Sequence, residues 1–434
     1  LLFSVVIVLA SLATLAGACD PEPRIIGSKR VTVGEPLRFQ IEQGPEFIEG
    51  EFELEDSEGN TYGPDDPEVA YEFADPNDVS IMIPFGVAAG PARLIFGAKG
   101  RPEGYVIDLE IIRLGAILSG DGFLHAINVA DGSHVGSVRL GHGSFSARLA
   151  PDGNRVLATA SDEGSVFFLS FDGSGFRPYS PSLEDLGTNP LDAVFTDTGA
   201  LVATEEGLAI VEQAGGTTVL QGFVDTGSLE ELAGGAHAGW VVGRAFPSDD
   251  ATDIQNELVV VDLTEQGPEV RPVSVDAGGS MGGAGSMAMT PDGSTLYVAN
   301  RPDNTVTPVT IDASGVQTLD AVAMPEEQIE EGDNIQHADP VRLRIRPDGQ
   351  ELIVLCGASK SLVRFTIQEG GTLQLKGTVF LGSEPWDMSF SSVTNGHVLL
   401  ENGVSLVDLS QDEPEPEPLG WDKTANGITL LMQP

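Results

Sequence analysis

Thr290-Pro-Asp-Gly-Ser-Thr-Leu-Tyr-Val-Ala-Asn-Arg-Pro-Asp-Asn-Thr-Val306 sets out one structural unit of this chain. Asp292-Gly293 reads as a hairpin corner. Glycine accepts the positive φ that a tight turn demands, and aspartate bonds the backbone two residues on. A short apolar run follows the corner, and a third run, Thr307–Ile311, leads to another glycine turn at Ser314-Gly315. The corner recurs at Pro151-Asp-Gly153, Asp197-Thr-Gly199, Ala238-Gly239, Pro347-Asp-Gly349, Asn395-Gly396 and Asn426-Gly427. Each recurrence has an apolar run on both sides, and third runs again end in turns at Asp172-Gly173 and Gly370-Gly371.

Four short strands in a unit of about 45 residues is the pattern of a β-propeller blade. Six complete units run from about Gly143 to Leu419. Residues 116–140 hold three runs and lack an inner strand, and the tail 421–431 offers the missing one. Joining the two ends in one sheet removes the edges that would otherwise invite aggregation. The pattern predicts seven blades with terminal-strand closure over 116–434, and six or eight are the alternatives, because the third and last units are irregular.

The strings Gly132-Ser-His-Val-Gly-Ser-Val-Arg-Leu-Gly141, Ala150-Pro-Asp-Gly-Asn-Arg-Val-Leu-Ala-Thr159 and residues 290–306 resemble the YVTN/lactonase-like propeller repeat. The resemblance implies the fold. Its implication for activity is broad, since that superfamily mixes lactonases with binding proteins.

Before the repeats, residues 24–114 alternate apolar and polar positions, as in Arg38-Phe-Gln-Ile-Glu42 and Glu51-Phe-Glu-Leu-Glu55. Such alternation marks half-buried strands, and six or seven of them predict a two-sheet sandwich. The stretch from Val79 to Phe96, with a strand ending at Pro84 and a turn at Gly90, resembles the late strands of an IPT/TIG-type immunoglobulin-like domain. That resemblance implies a spacer or adhesive module without catalysis.

No charge precedes Asp20. The opening apolar run suits the core of a signal peptide or a short membrane anchor. Leu15-Ala16-Gly17-Ala18-Cys19 resembles a bacterial lipobox, which makes residues 1–19 a signal peptide and Cys19 the lipidated residue of an exported, membrane-anchored lipoprotein of the cell envelope. An ordinary signal peptide and an uncleaved anchor are the alternatives. Cys356, the other cysteine, sits in the apolar run Leu352-Ile-Val-Leu-Cys and reads as buried packing.

The 434 residues carry 66 acidic and 22 basic side chains, a formal net charge of −44. A field of this sign repels phosphate backbones and excludes sequence-independent nucleic-acid binding. It reads as a solvated exterior surface. No EF-hand loop, calcium nonapeptide or paired His or Cys motif is present, so no cofactor is predicted and a divalent cation has no motif behind it.

If each inner strand runs down the channel, the Asp-Gly corners lie at the bottom, and the blade starts and second-to-third-strand loops lie at the top. Top-face candidates at blade starts are His142, Asn189, His337, Asp339, Glu384 and Trp386. The loops add Arg301 and Asp303, with Asp162, Glu163, Glu205, Glu206 and Lys360 beside them. The chemically sharpest trio is His142, His337 and Asp339, since histidine and carboxylate at a channel mouth can bind a metal or move a proton. His237 falls at a bottom corner and His397 on a strand. Gly278-Gly-Ser280-Met-Gly282 matches the letters of a nucleophile elbow but lacks the following helix. Two functions fit. One is an envelope binding or scaffold module with a protein or glycan partner. The alternative is a lactonase-like hydrolase with a top-face channel site.

Overall fold

The structure is a computed structural model. It describes residues 24–26, 29–42, 44–67, 69–84, 86–150, 153–172, 175–180, 182–184, 186, 188–214, 217–235, 240–245, 257–264, 267–274, 287–312, 315–325, 327–328, 335–419 and 427–433. Cys19, Ser280, His237, Trp421 and the Ala238-Gly239 corner lie outside the described residues. The described chain is all-β apart from a single 3-10 turn at Glu369–Gly371. It divides into two compact units after Ile112. Leu114, the expected end of the first domain, opens a strand of the second unit.

The first unit consists of two sheets over one core. One sheet orders Arg24–Ile26, Pro36–Gln40, Asp78–Met82 and Tyr71–Asp75. The other orders Arg30–Thr32, Arg101–Ile112, Gly90–Ala98, Phe47–Glu55 and Thr61–Tyr62. Alternation decides which side chains go inward: Ala92, Leu94, Phe96 and Ala98 are buried, Pro91 and Arg93 are exposed, and Ile95 and Gly97 are half-buried. Leu37, Phe39, Val79 and Ile81 meet them from the first sheet. Phe96 stands at the centre, its ring 4.9 Å from Phe39 and 4.7 Å from Phe47.

The second unit contains, among the described residues, seven sheets of four or five strands. Their innermost strands are, in order, Gly427–Met432, Ser144–Leu149, Pro190–Phe195, Leu229–Gly235, Met287–Met289, Pro340–Ile345 and Pro385–Phe390. These seven strands neighbour one another in cyclic order, and Pro385–Phe390 meets Gly427–Met432 to close the ring. In the first ring sheet, Gly427–Met432 lies antiparallel to Leu114–Ser119, pairing Leu430 with Ile117 and Met432 with Gly115. Successive sheets share hydrophobic cores. Phe168 and Val202 belong to the joint between the second and third sheets, Val298 and Val260 to that between the fifth and fourth, and Ile117 and Leu399 to that between the first and seventh. Cys356 is fully buried in the joint between the fifth and sixth sheets.

Two of the Asp-Gly corners have the backbone their sequence requires; Pro151 and Asp152 lie outside the described residues, and Gly199 of the Asp197-Thr-Gly199 corner begins a strand without a positive φ. Gly293 and Gly349 both take φ 72°, and Asp292 accepts from the Ser294 N–H at 3.0 Å. Asn395-Gly396 differs. It begins the strand Asn395–Leu400, and the turn lies at residues 391–394, where Ser392 Oγ accepts the Thr394 and Asn395 N–H groups. A serine hydroxyl can cap a turn as asparagine does.

His397, on that strand, is 3 % exposed, and its Nε2 lies 2.8 Å from Ser391 Oγ. Burial, aided by the Arg113 charge, pulls its pKa down to about 4. The unfolded chain therefore binds a proton more readily, and stability falls as pH drops from about 6.5 to about 4, by ~3 kcal/mol. Denaturant unfolding across this range is expected to show that loss in the natural protein and a smaller one in His397→Gln.

Candidate functional site

The innermost strand of each ring sheet pairs on its outer side only. Its alternate N–H groups point into the buried channel, where each needs an acceptor. For three of these strands a carboxylate of the preceding sheet is an acceptor. Asp192 Oδ2 accepts the Leu232 N–H at 2.9 Å, Glu231 Oε1 the Met287 N–H at 3.0 Å, and Asp387 Oδ2 the Leu430 N–H at 2.9 Å. All three carboxylates are fully buried. Each follows the same register shift in its strand, between Pro190 and Asp192, Leu229 and Glu231, and Pro385 and Asp387. A bulge re-aims a side chain, and here it turns a charged one into the ring.

Arginines neutralise two of these carboxylates. Arg148 forks onto Asp192, with Nε 3.1 Å from Oδ1 and Nη2 on Oδ2, and also donates to the Leu232 carbonyl at 2.6 Å. Arg344 Nη2 donates to Asp387 Oδ1 at 2.6 Å, and Arg342 Nε lies 3.5 Å from the same oxygen. Burial alone would raise the Asp192 pKa. The Arg148 charge and hydrogen bonds from Arg148, Ser146 and Leu232 outweigh it and hold the carboxyl below its usual range. For Arg344 burial wins, and its pKa is pulled down in spite of Asp387. A guanidinium starts so high that it stays charged at neutral pH.

Beside this belt of charge lies a pocket of about 760 Å³ at the corner end of the strands. Arg148, Arg155, Arg342, Arg344 and Arg346 all line it, five of the 22 basic residues of the chain. Arg148 and Arg344 keep 35 % and 29 % of their side-chain surface exposed, while their carboxylates stand behind them in the wall. At the rim, the Arg155 guanidinium lies 5.6 Å from the centre of the Phe195 ring, and Asp197 supplies a carboxylate. Lumen-facing guanidinium groups can hold a carboxylate or phosphate by paired N–H donors, or polarise a carbonyl as negative charge builds on its oxygen.

The sequence matches no protein-family model and no curated relative. Solved structures do match. A putative 6-phosphogluconolactonase from Bacteroides fragilis superposes with a TM-score of 0.57 at 13 % identity, over 74 % of this chain and 98 % of its own. The periplasmic gluconolactonase of Pseudomonas aeruginosa gives 0.57 at 14 % identity, over 74 % and 99 %. A hypothetical selenium-binding protein from Sulfolobus tokodaii gives 0.56 at 10 % identity, over 74 % and 92 %. The ring is a β-propeller. At these identities the likeness establishes the fold alone.

Within the propeller, the residues singled out from the sequence stand at the top, where first strands begin, and the pocket opens at the bottom. His142, Asn189, His337, Asp303 and Glu384 are exposed, as are Asp162, Glu163, Glu205, Glu206 and Lys360. Trp386 is 43 % exposed. Arg301 and Asp339 come together in a two-pronged pair at 2.7 and 2.8 Å. Asp339 is thus paired with Arg301. Among the described residues no three His, Cys, Asp or Glu side chains are placed to hold a metal ion.

Sequence reading passed over Arg148, Asp192, Glu231, Arg342, Arg344 and Asp387. One signal was available: Arg148-Leu-Ala-Pro-Asp-Gly153 and Arg344-Ile-Arg-Pro-Asp-Gly349 place an arginine at the same distance before two corners. Removing one partner of such a pair leaves a buried charge uncompensated. Asp192→Ala is expected to cost about 3–5 kcal/mol, and the more conservative Asp192→Asn less, by chemical unfolding followed through circular dichroism.

Proposed function

We infer that the protein is an exported, seven-bladed propeller hydrolase of the lactonase type, acting on small anionic sugar-acid lactones in the bottom pocket. The observation that carries this reading is the set of arginines facing the lumen of a chain that is otherwise strongly acidic. The gluconolactonase names of two neighbouring structures support the same reaction class. In the reaction, Arg344 and Arg148 hold the anionic group and polarise the ring carbonyl. Water adds to that carbonyl and gives its proton to a carboxylate, for which Asp197 is placed at the rim. The ester C–O bond then breaks, the ring oxygen takes up a proton, and the open hydroxy acid leaves.

Purified protein is expected to accelerate acid release from 6-phosphoglucono-δ-lactone, whose phosphate supplies the anionic group, and more weakly from uncharged glucono-δ-lactone. Arg344→Lys keeps the charge but loses the fork, and should lower kcat/KM roughly tenfold to a thousandfold with an unchanged circular dichroism spectrum. Saturable gluconate binding without any turnover would leave a binding module in place of an enzyme.

The first part of the chain favours a second, compatible reading of address. The propeller follows an immunoglobulin-like spacer of the IPT/TIG kind and is tethered through a lipid on Cys19, where a protein or glycan of the envelope is within reach. The periplasmic location in the name of the Pseudomonas neighbour supports export, and among the described residues no helix is long and apolar enough to cross a membrane. Metabolic labelling with a palmitate analogue should mark the full-length precursor expressed in a bacterial host, and Cys19→Ala should abolish the label.

A further inference from the structure

Arg342-Leu-Arg344-Ile-Arg346 places three arginines at alternate positions along the sixth inner strand and the turn that follows it. Alternate residues of a strand face the same side, and all three line the bottom pocket. The second inner strand has the same register before its own corner, and there the matching residues are Ser146, Arg148 and Ala150.

The two strands treat their carboxylates differently. Asp192 is satisfied by one guanidinium, that of Arg148, together with Ser146 Oγ, which donates to Oδ1 at 2.6 Å. Asp387 Oδ1 accepts from Arg344 Nη2 at 2.6 Å, and where the serine would stand Arg342 Nε lies 3.5 Å away. A serine is enough to complete such a carboxylate, so the charge of Arg342 is surplus to what the ring requires. Arg346 is committed elsewhere, its Nε donating to Asp348 and its Nη1 to Glu351, both at 2.8 Å.

The charge is therefore unevenly shared around the lumen. On one side Asp192 and Glu231 both act on Arg148, and on the other two guanidiniums share Asp387. Burial pulls the Arg344 pKa down, and the Arg342 charge adds to that effect in spite of Asp387. Cations held this close repel each other, and an anion between them removes the repulsion. Donors remain for it: Arg344 gives one hydrogen from each nitrogen to the Met388 and Leu343 carbonyls and Asp387, and each Nη carries a second. Alternate Cα atoms of a strand lie about 6.7 Å apart, so the two side chains approach an anion from different directions. The tetrahedral oxygens of a phosphate monoester can answer both and carry nearly two charges, whereas a planar carboxylate suits one fork and carries one charge.

We propose that Arg342 and Arg344 form a phosphate subsite on the sixth-strand wall of the pocket, and that Arg342 makes the pocket select phosphorylated sugars. The far end of the sugar points across the lumen to Arg148. The second and sixth inner strands are three places apart in the cycle of seven, as far as two can be. Among the described residues no acceptor takes Arg148 Nη1, which leaves it open to that end. The proposal rests on the lactonase reading for the reaction at the far end, and on the arginines alone for the binding.

The test titrates the intact protein with glucose 6-phosphate, glucose and glucuronate in a calorimeter. Glucose 6-phosphate is expected to bind saturably, and glucose and glucuronate at least tenfold more weakly. Inorganic phosphate should displace it. Arg342→Gln should weaken glucose 6-phosphate binding at least tenfold and still fold, because Arg344 stays on Asp387. In that variant KM for 6-phosphoglucono-δ-lactone should rise far more than kcat falls. A merely structural arginine would change stability without moving the preference for phosphate. Phosphate-dependent binding without turnover of any lactone would end the hydrolase reading and uphold the subsite. Undiminished glucose 6-phosphate binding in folded Arg342→Gln would overturn the subsite. So would glucose or glucuronate binding as tightly as glucose 6-phosphate, or no saturable binding of glucose 6-phosphate, in the natural protein, a comparison that needs no variant.

Discussion

An inner strand that pairs on one side only must find acceptors for the N–H groups it turns toward the channel, and the rest of the propeller is arranged around that requirement. Water could serve at the open ends of the channel. Midway along it, fully buried Asp192, Glu231 and Asp387 serve instead, each reaching from one sheet to the backbone of the next. These bonds run along the circumference, where no β-ladder exists. They join neighbouring sheets alongside the side-chain packing and the arginine pairs that also cross between them.

Burying three carboxylates has an electrostatic cost, and the arginines follow from it. A charge removed from water is tolerated when paired and fully hydrogen-bonded. Arg148 and Arg344 provide that pairing and still reach the lumen. The same side chains thus complete the ring and furnish the pocket with donors. Structure and site are not separable here: a ligand in the pocket touches the groups that hold the sheets together.

Much of the fold was legible in the sequence because it rests on local chemistry. Asp-Gly corners, alternating strands and a repeat near 45 residues are each encoded within a few neighbouring positions. The irregular seventh sheet was harder, since a serine-capped turn replaces the glycine corner and Asn395-Gly396 begins a strand. The pocket was largely hidden. Arg148 and Asp192 lie 44 residues apart, and no short window shows that they meet. At the top, Arg301, Asp339, Glu384 and Trp386 were visible as isolated polar or aromatic residues at blade starts and loops. The pairing of Arg301 with Asp339 depends on neighbouring blades lying side by side.

The strand Gly427–Met432 has a consequence for the order in which the molecule is made. Its partner Leu114–Ser119 emerges from the ribosome, and from any translocation channel, about 300 residues earlier. Until the last strand arrives, the first sheet exposes an inner edge and the seventh has no neighbour on one flank. The first unit, with its own core, can fold as it emerges. The ring cannot be finished piecemeal: its closure waits for Gly427–Met432, and the interval before that strand arrives is when a chaperone or a protease has its opportunity.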